Sequence, residues 1–328
     1  CSSAETLRRS QYVMRKDLDR FFNPRSIAVI GASRDLITIS GQPLQHLVSH
    51  AYSGKLYPVN SKYDEILGVK CWPSIESLPE TPDLALILIN AARAAEMLRA
   101  CGKKGVRFAI VFSSGYSEVG GRGIEMQREL AAVAAEFDIG VVGPNCQGMI
   151  NIAGNVYAGF GSVFFTAYDA GAVSMVSQSG GFGFSVMNLA SKDGGVHFRQ
   201  MVTTGNEIGV STLDFIEHFI DDDKTEVIAV YIEGLKDARR LVEVGRKALA
   251  RKKPILAWKV GNTEQGSRAA ASHTANLGGA MALYQAAFRQ SGIIQIEDIQ
   301  DVVDYSRAFR SGKLPKGNRV AIITATSC

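Results

Sequence analysis

A chain of 328 residues, 46% hydrophobic and 21% charged, has room for about two domains, each able to bury a core without disulfides or metals. Its 36 basic and 32 acidic residues leave a formal charge of +4 with no basic block, which excludes a protein that tracks a nucleic-acid backbone. Five widely spaced cysteines (Cys1, Cys71, Cys101, Cys146, Cys328) without a Cys-x-x-Cys pair exclude a disulfide framework and a zinc site, and imply reduced thiols.

Residue 1 is Cys, conventional sequence starts at Met14, and residues 1–17 read as an N-terminal extension. From Leu18 onward, short apolar runs alternate with helical patterns, the signature of a parallel sheet covered on both faces. The first set of runs is Ser26–Ile30, Leu56–Val59, Leu84–Ile89, Phe108–Phe112 and Ile139–Val142, with helices over Ala92–Lys103 and Gly123–Phe137. Leu84–Ile89, the longest apolar run, falls far short of the ~20 residues needed to span a bilayer. No signal peptide precedes Met14, so a cytoplasmic protein is expected.

The Gly- and Asn-rich stretch Gly143–Gly161 reads as a linker, with the domain limit at 153/154. A second α/β set follows, with strands at Ala172–Val176, Val202–Thr204, Val227–Tyr231, Ile255–Trp258 and Ile293–Ile296. Its helices are expected over Gly183–Lys192, Thr212–Phe219, Ala238–Ala250 and Ala280–Arg289. At the end, Arg319–Thr324 reads as a buried strand whose following helix is missing, so both ends look cut. The expected organisation is thus 18–153, 154–316 and a terminal fragment, 317–328. In such sheets ligands bind beyond the carboxyl ends of the strands.

Ser26–Ile30 runs into a glycine turn, Gly31-Ala32-Ser33-Arg34, where a Rossmann-type domain receives phosphate on backbone N–H groups. A dinucleotide fingerprint would need glycine where Ser33 and Leu36 stand, and an acidic residue near the end of the second strand, which offers Asn60 and Lys62. These departures count against NAD, while a nearby Arg or Lys suits an extra phosphate such as that on the ADP half of CoA. Taken alone, the segment fits any α/β protein with a tight turn.

Four ordered stretches resemble the nucleotide-forming acyl-CoA synthetases, a family that includes ADP-forming acetyl-CoA synthetases and the succinyl-CoA synthetase α subunit. They are Ile30-Gly-Ala-Ser33 with Tyr57-Pro-Val-Asn60; Val142-Gly-Pro-Asn-Cys-Gln-Gly148; Val176-Ser-Gln-Ser-Gly-Gly-Phe-Gly183 followed by Thr204-Gly-Asn-Glu207; and Tyr231-Ile-Glu-Gly234 ahead of Ala271-Ser-His-Thr274. The resemblance spans roughly Leu18 to Val320. It implies a Rossmann-type CoA-binding domain, then a flavodoxin-like succinyl-CoA-ligase-type α/β domain, and 317–328 as the first strand of a third domain. It also implies ATP-grasp domains, fused or separate, that handle ATP/ADP with Mg and that nothing in this chain resembles, and an oligomer acting on a small carboxylic acid or acyl-CoA. The chain departs from the family at Ala275-Asn276, where relatives usually have Gly after the His-Thr pair, and at Ala325-Thr-Ser-Cys328, where a glycine-rich loop is usual.

By this resemblance His273 carries phosphate and Glu233 orients its imidazole by accepting a hydrogen bond from the other ring nitrogen. Neutral imidazole is nucleophilic near pH 7, and its phosphoramidate is energetic enough to regenerate a phosphoanhydride. Of the five histidines, only His273 lies in a Gly/Ser/Ala-rich loop; His46 and His218 fall on predicted amphipathic helices, His50 near a helix end and His197 at a strand start. The turn bearing Ser177, Ser179, Gly180 and Gly181 enters a helix and is expected to cradle phosphate. Asn145 is expected at the thioester end of CoA, and Asn206 with Glu207 at the acyl phosphate. Two competing classes remain open on the residues: a CoA-sensing regulatory module of a fused acetyltransferase, and a Rossmann oxidoreductase.

Overall fold

The computed structural model describes residues 18–261, 281–311, 315, 317–323 and 325. A short helix α1 (Leu18–Phe22) leads into β1 (Ser26–Ile30), α2 (Gln42–Ser49), β2 (Lys55–Val59), a small hairpin β3 (Glu65–Ile66) and β4 (Val69–Lys70), β5 (Leu84–Ile87), α3 (Ala91–Lys104), β6 (Phe108–Val111), α4 (Arg122–Glu136) and β7 (Gly140–Val142). The five main strands form a parallel sheet in the order β2-β1-β5-β6-β7. Every residue of β1, β5 and β6 is buried, which is why these strands read as continuous apolar runs.

The second sheet has the order β14-β13-β12-β10-β11-β8-β9, with β8 at Gly148–Asn151 and β9 at Val156–Gly159. Its parallel part comprises β10 (Val173–Ser177), β11 (Phe198–Thr203), β12 (Val227–Ile232), β13 (Ile255–Lys259) and β14 (Ile294–Gln295). The covering helices are α5 (Gly180–Lys192), α6 (Thr212–Asp221), α7 (Ala238–Ala250), α8 (Met281–Ser291) and α9 (Ile299–Arg310). Glycine at Gly183 lets α5 lie close on β10, since a Cβ there would come within 2.4 Å of the Ser177 Cβ.

The stretch expected as a linker is not one. β8 (Gly148–Asn151) and β9 (Val156–Gly159) form an antiparallel hairpin, and β8 pairs antiparallel with β11, so the expected limit at 153/154 falls in the hairpin turn. Its glycines allow close approach: Gly148 has φ +114°, and a Cβ there would lie 2.2 Å from the Ala158 carbonyl oxygen. The expected strand Arg319–Thr324 is not formed in its described part. Val320, Ile322 and Ile323 are 84–97% exposed, and no strand among the described residues pairs with them, so their backbone groups gain nothing from an extended ladder.

The two sheets share a core. Phe21 and Phe22 of α1 are fully buried and meet Phe215 of α6 at 5.6 and 5.8 Å between ring centroids, while Phe21 also meets Phe108 of β6 at 5.8 Å. The Ile208 and Val210 N–H groups bond to the Gly143 and Val141 carbonyls, so the second unit caps the outer edge of β7. This seam fixes the carboxyl ends of both sheets around one opening.

The seam also holds His46, fully buried on α2 with its ring 5.7 Å from Phe164 and 4.4 Å from Phe165. Neither ring nitrogen of His46 has a hydrogen-bond partner, and burial, with the neighbouring His50 adding, pulls its pKa from 6.5 down to about 4. Between those values the unfolded chain binds a proton that the native state excludes, so stability falls as pH drops below 6.5 and levels off below 4. The full loss is about 3 kcal/mol. His46→Phe is expected to flatten that part of the melting temperature's pH dependence between pH 7.5 and 4.5; an unchanged slope would mean that His46 is not its source.

Candidate active site

A cleft of about 970 Å³ lies where the strand ends of both sheets converge. It brings together Asn145 from the loop after β7, Ser179, Gly180 and Gly181 at the start of α5, Asn206 after β11 and Glu233 after β12. A second groove of about 520 Å³ adjoins it, lined by Gly31, Asn60 and Lys62. Ser40, Leu88 and Ile89 border both, so the first unit's glycine turn and the second unit's strand ends lie along one continuous path.

At the glycine turn, Gly31 has φ +85° and a Cβ there would sit 2.9 Å from Ile89 Cγ2, so both conformation and space require glycine. Ala32 is buried, and its carbonyl accepts the Asn60 side-chain N–H at 2.9 Å, while Asn60 Oδ1 accepts the Lys62 N–H at 3.0 Å. The Asn60 amide thus ties the ends of β1 and β2 together. Lys62 remains exposed at the groove. The other two residues of the turn face elsewhere: Ser33 Oγ accepts the Asp35 N–H, and the Arg34 guanidinium donates to the Glu65 carbonyl at 2.8 and 3.0 Å while lying over Tyr63. The basic residue that does line this groove, besides Lys62, is Arg93 in the first turn of α3. Its signal in the sequence, an Arg after a strand and inside an alanine-rich helix, is common and does not single it out.

The turn into α5 has a division of labour. Ser177 is fully buried and its hydroxyl donates to the Ser179 carbonyl at 2.6 Å, closing the turn from inside. No side chain caps the helix at Ser179, and the space where a Gly181 Cβ would stand is open for 4 Å, which leaves first-turn N–H groups accessible from the cleft.

Asn206 is buried and its amide donates to Glu118 at 2.6 Å and Gln127 at 2.8 Å, while its oxygen accepts from Asn145 at 3.4 Å. Burial works against ionisation of Glu118, but hydrogen bonds from Asn206 and the Gly115 and Tyr116 N–H groups outweigh it and hold the carboxyl below its ordinary range. Glu207, paired with Asn206 in the sequence reading, turns inward. Its φ of +55° redirects the chain, and its carboxylate accepts from Thr204 Oγ1, the Thr212 hydroxyl and the Thr212 N–H at the start of α6. It does not line the cleft.

Glu233 is buried to 7% exposure at the cleft wall. Its loop is pinned by Gln178, whose Oε1 accepts the N–H groups of Glu233 at 2.6 Å and Gly234 at 2.9 Å, and whose amide donates to the Gly234 carbonyl at 2.7 Å. Gln178 belongs to the Ser-Gln-Ser-Gly-Gly motif, yet nothing in the sequence indicates that it spans two strand ends. Cys146 also lines the cleft, and burial pushes its thiol up to about 12, so it is no nucleophile near neutral pH. His273 lies outside the described residues.

Comparison with known proteins relates the chain to a family. Residues 25–152 match a family described as a CoA binding domain, and residues 170–309 match the succinyl-CoA ligase like flavodoxin domain. The chain is 39% identical over 307 residues to the subunit alpha of acetate–CoA ligase [ADP-forming] II of Pyrococcus furiosus, covering 94% of this chain and 65% of the relative. It is also 39% identical to acetate–CoA ligase [ADP-forming] I of Archaeoglobus fulgidus, covering 94% of this chain and 44% of that protein. A solved structure of the Ca. Korarchaeum cryptofilum dinucleotide forming acetyl-coenzyme A synthetase 1, in complex with phosphate and ADP, superposes with a TM-score of 0.85 at 36% identity, covering 92% of this chain and 64% of that one. The chain therefore spans about two thirds or less of the length of these relatives. With both domain models matched in order and the fold shared along its length, the chain belongs to the ADP-forming acyl-CoA synthetase family, as an α-subunit-like member.

Proposed function

We propose that this chain is the CoA-binding and phosphate-carrying part of an ADP-forming acid–CoA ligase. The observation that carries the reading is the continuous path from the groove at Gly31 and Lys62 to the cleft holding Asn145, Gly180, Gly181, Asn206 and Glu233. CoA lies along it with its ADP half at Gly31, Lys62 and Arg93 and its thioester near Asn145. Lys62 and Arg93 supply positive charge there.

In the acyl-CoA-consuming direction, a phosphate oxygen attacks the thioester carbonyl carbon, the C–S bond breaks, and CoA leaves as thiol once the sulfur takes a proton. Acyl phosphate then sits against the first-turn N–H groups of α5 at Gly180 and Gly181, beside Asn206. A ring nitrogen of His273 attacks phosphorus, the P–O bond to the acyl group breaks, and the carboxylic acid is released as carboxylate. Glu233 steadies the charged imidazole ring. Finally an oxygen of ADP attacks the phosphorus and the P–N bond breaks, returning neutral His273 and ATP. The last step takes place with ATP-grasp domains, in cis or as a separate subunit, which hold ADP and Mg. Among the described residues no group of three or more His, Cys, Asp and Glu could hold a metal. The working enzyme is an oligomer of the cytoplasm acting on a small carboxylic acid.

CoA at a hundred times its dissociation constant is expected to stabilise the chain by about 2.7 kcal/mol, read as a rise in melting temperature. NAD is expected to give no shift. A shift with NAD and none with CoA would refute the reading of the first unit.

A further inference from the structure

Lys259, the last residue of β13, is 3% exposed, which is rare for a lysine unless a counter-charge or other partner compensates. It is the register partner of Ile232, the residue that precedes Glu233 at the adjoining end of β12. Its ammonium donates to the Val260 carbonyl and stands 4.9 Å from the centre of the Tyr284 ring on α8. Tyr284 in turn accepts the Leu235 N–H on its hydroxyl at 2.9 Å, two residues past Glu233. The Glu233 loop is therefore held from two sides, by Gln178 of the β10 end and by the Lys259–Tyr284 pair. Among the described residues, Tyr231 is a further titratable group beside it, and burial with the Glu233 charge pushes it up to about 12. Burial pulls the Lys259 pKa down, and the charge of Glu233 opposes that pull.

We propose that Lys259 is a positioning residue for Glu233: its buried ammonium is the counter-charge that keeps the Glu233 side chain a carboxylate at the cleft wall, and Tyr284 fixes both the ammonium and the loop. A carboxyl at 7% exposure loses most of its solvation, so a fixed positive charge nearby is what favours its ionised form. A neutral carboxylic acid there would no longer stabilise a positively charged imidazole ring, so the role assigned to Glu233 needs the cation. This inference rests on the function proposed above, but its first test does not.

The test uses the full chain with ¹³C-labelled glutamate carboxyl groups, the Glu233 resonance being assigned as the one lost in Glu233→Gln. In Lys259→Met the titration midpoint of that resonance is expected to move up by about one unit or more, and Lys259→Arg is expected to leave it near the wild-type position. The same midpoint in wild type and Lys259→Met overturns the pairing. If Lys259→Met does not fold, Lys259→Gln and Lys259→Arg carry the same comparison. The second arm follows phosphohistidine formation, with acetyl phosphate as donor. Lys259→Met is expected to slow it at least about tenfold at pH 7, with recovery in Lys259→Arg, an unchanged CoA melting shift, and little added loss in the Glu233→Gln background. Equal losses in both backgrounds would show that Lys259 does not act through Glu233. A shifted midpoint with no phosphohistidine even in wild type would uphold the pairing and refute the proposed function instead.

Discussion

Glu233→Gln is expected to slow phosphorylation of His273 by about a hundredfold or more while leaving the CoA melting shift intact. The substitution keeps the shape of a side chain whose loop is set by backbone bonds, because Gln178 grips the N–H groups of Glu233 and Gly234 rather than the carboxylate. The negative charge is lost, and charge placed where positive charge develops is worth several kcal/mol in a water-poor site. Single-turnover labelling from acyl phosphate, compared with CoA binding in the same preparation, separates the two outcomes. Wild-type labelling kinetics in Glu233→Gln would remove Glu233 from the chemistry and leave the rest in place.

Gln178→Met should be the most damaging conservative change near the cleft. Methionine fills the same volume but leaves two buried N–H groups and one carbonyl, those of Glu233 and Gly234, without their partner. At about 1–3 kcal/mol for each orphaned group, the loss in unfolding free energy is about 3 kcal/mol or more. Urea denaturation measures it. Labelling is expected to fall as well, because the Glu233 loop loses its anchor on the β10 end. A variant as stable as the wild type would show that the loop finds other partners and that the Gln178 bridge is incidental.

These two residues illustrate what the sequence revealed and what it hid. Strands buried on both faces, such as Ser26–Ile30 and Val227–Ile232, announce themselves as unbroken apolar runs, so the parallel strands of both sheets are legible to within a few residues. The hairpin Gly148–Asn151 with Val156–Gly159 was not, since glycines that serve close strand packing look the same in a sequence as glycines of a linker. Helix α9 was also missed, although Asp298 and Asp301 form a reciprocal capping box that marks its start.

For the cleft, the motifs named loops that the fold brings to one opening, but not which side chain of each loop faces inward. Asn206 points to the cleft and its neighbour Glu207 to the threonines beneath, a difference set by a left-handed backbone angle that neither residue type announces. Arg34 was a natural phosphate ligand by charge, yet the hairpin β3–β4 offers it a carbonyl and the Tyr63 ring, and the groove takes Arg93 from the next helix. Residues that act through others, Gln178 and Lys259, are invisible until strand ends far apart in sequence are brought side by side.

The most direct measurement of the central proposal is the identity of the phosphorylated residue. The full chain, incubated with ³²P-labelled acetyl phosphate and digested under alkaline conditions, is expected to carry label on the peptide containing His273, stable in base, lost in acid, and absent from His273→Ala. Label on serine or threonine, or label that persists in His273→Ala, would contradict a phosphohistidine carrier.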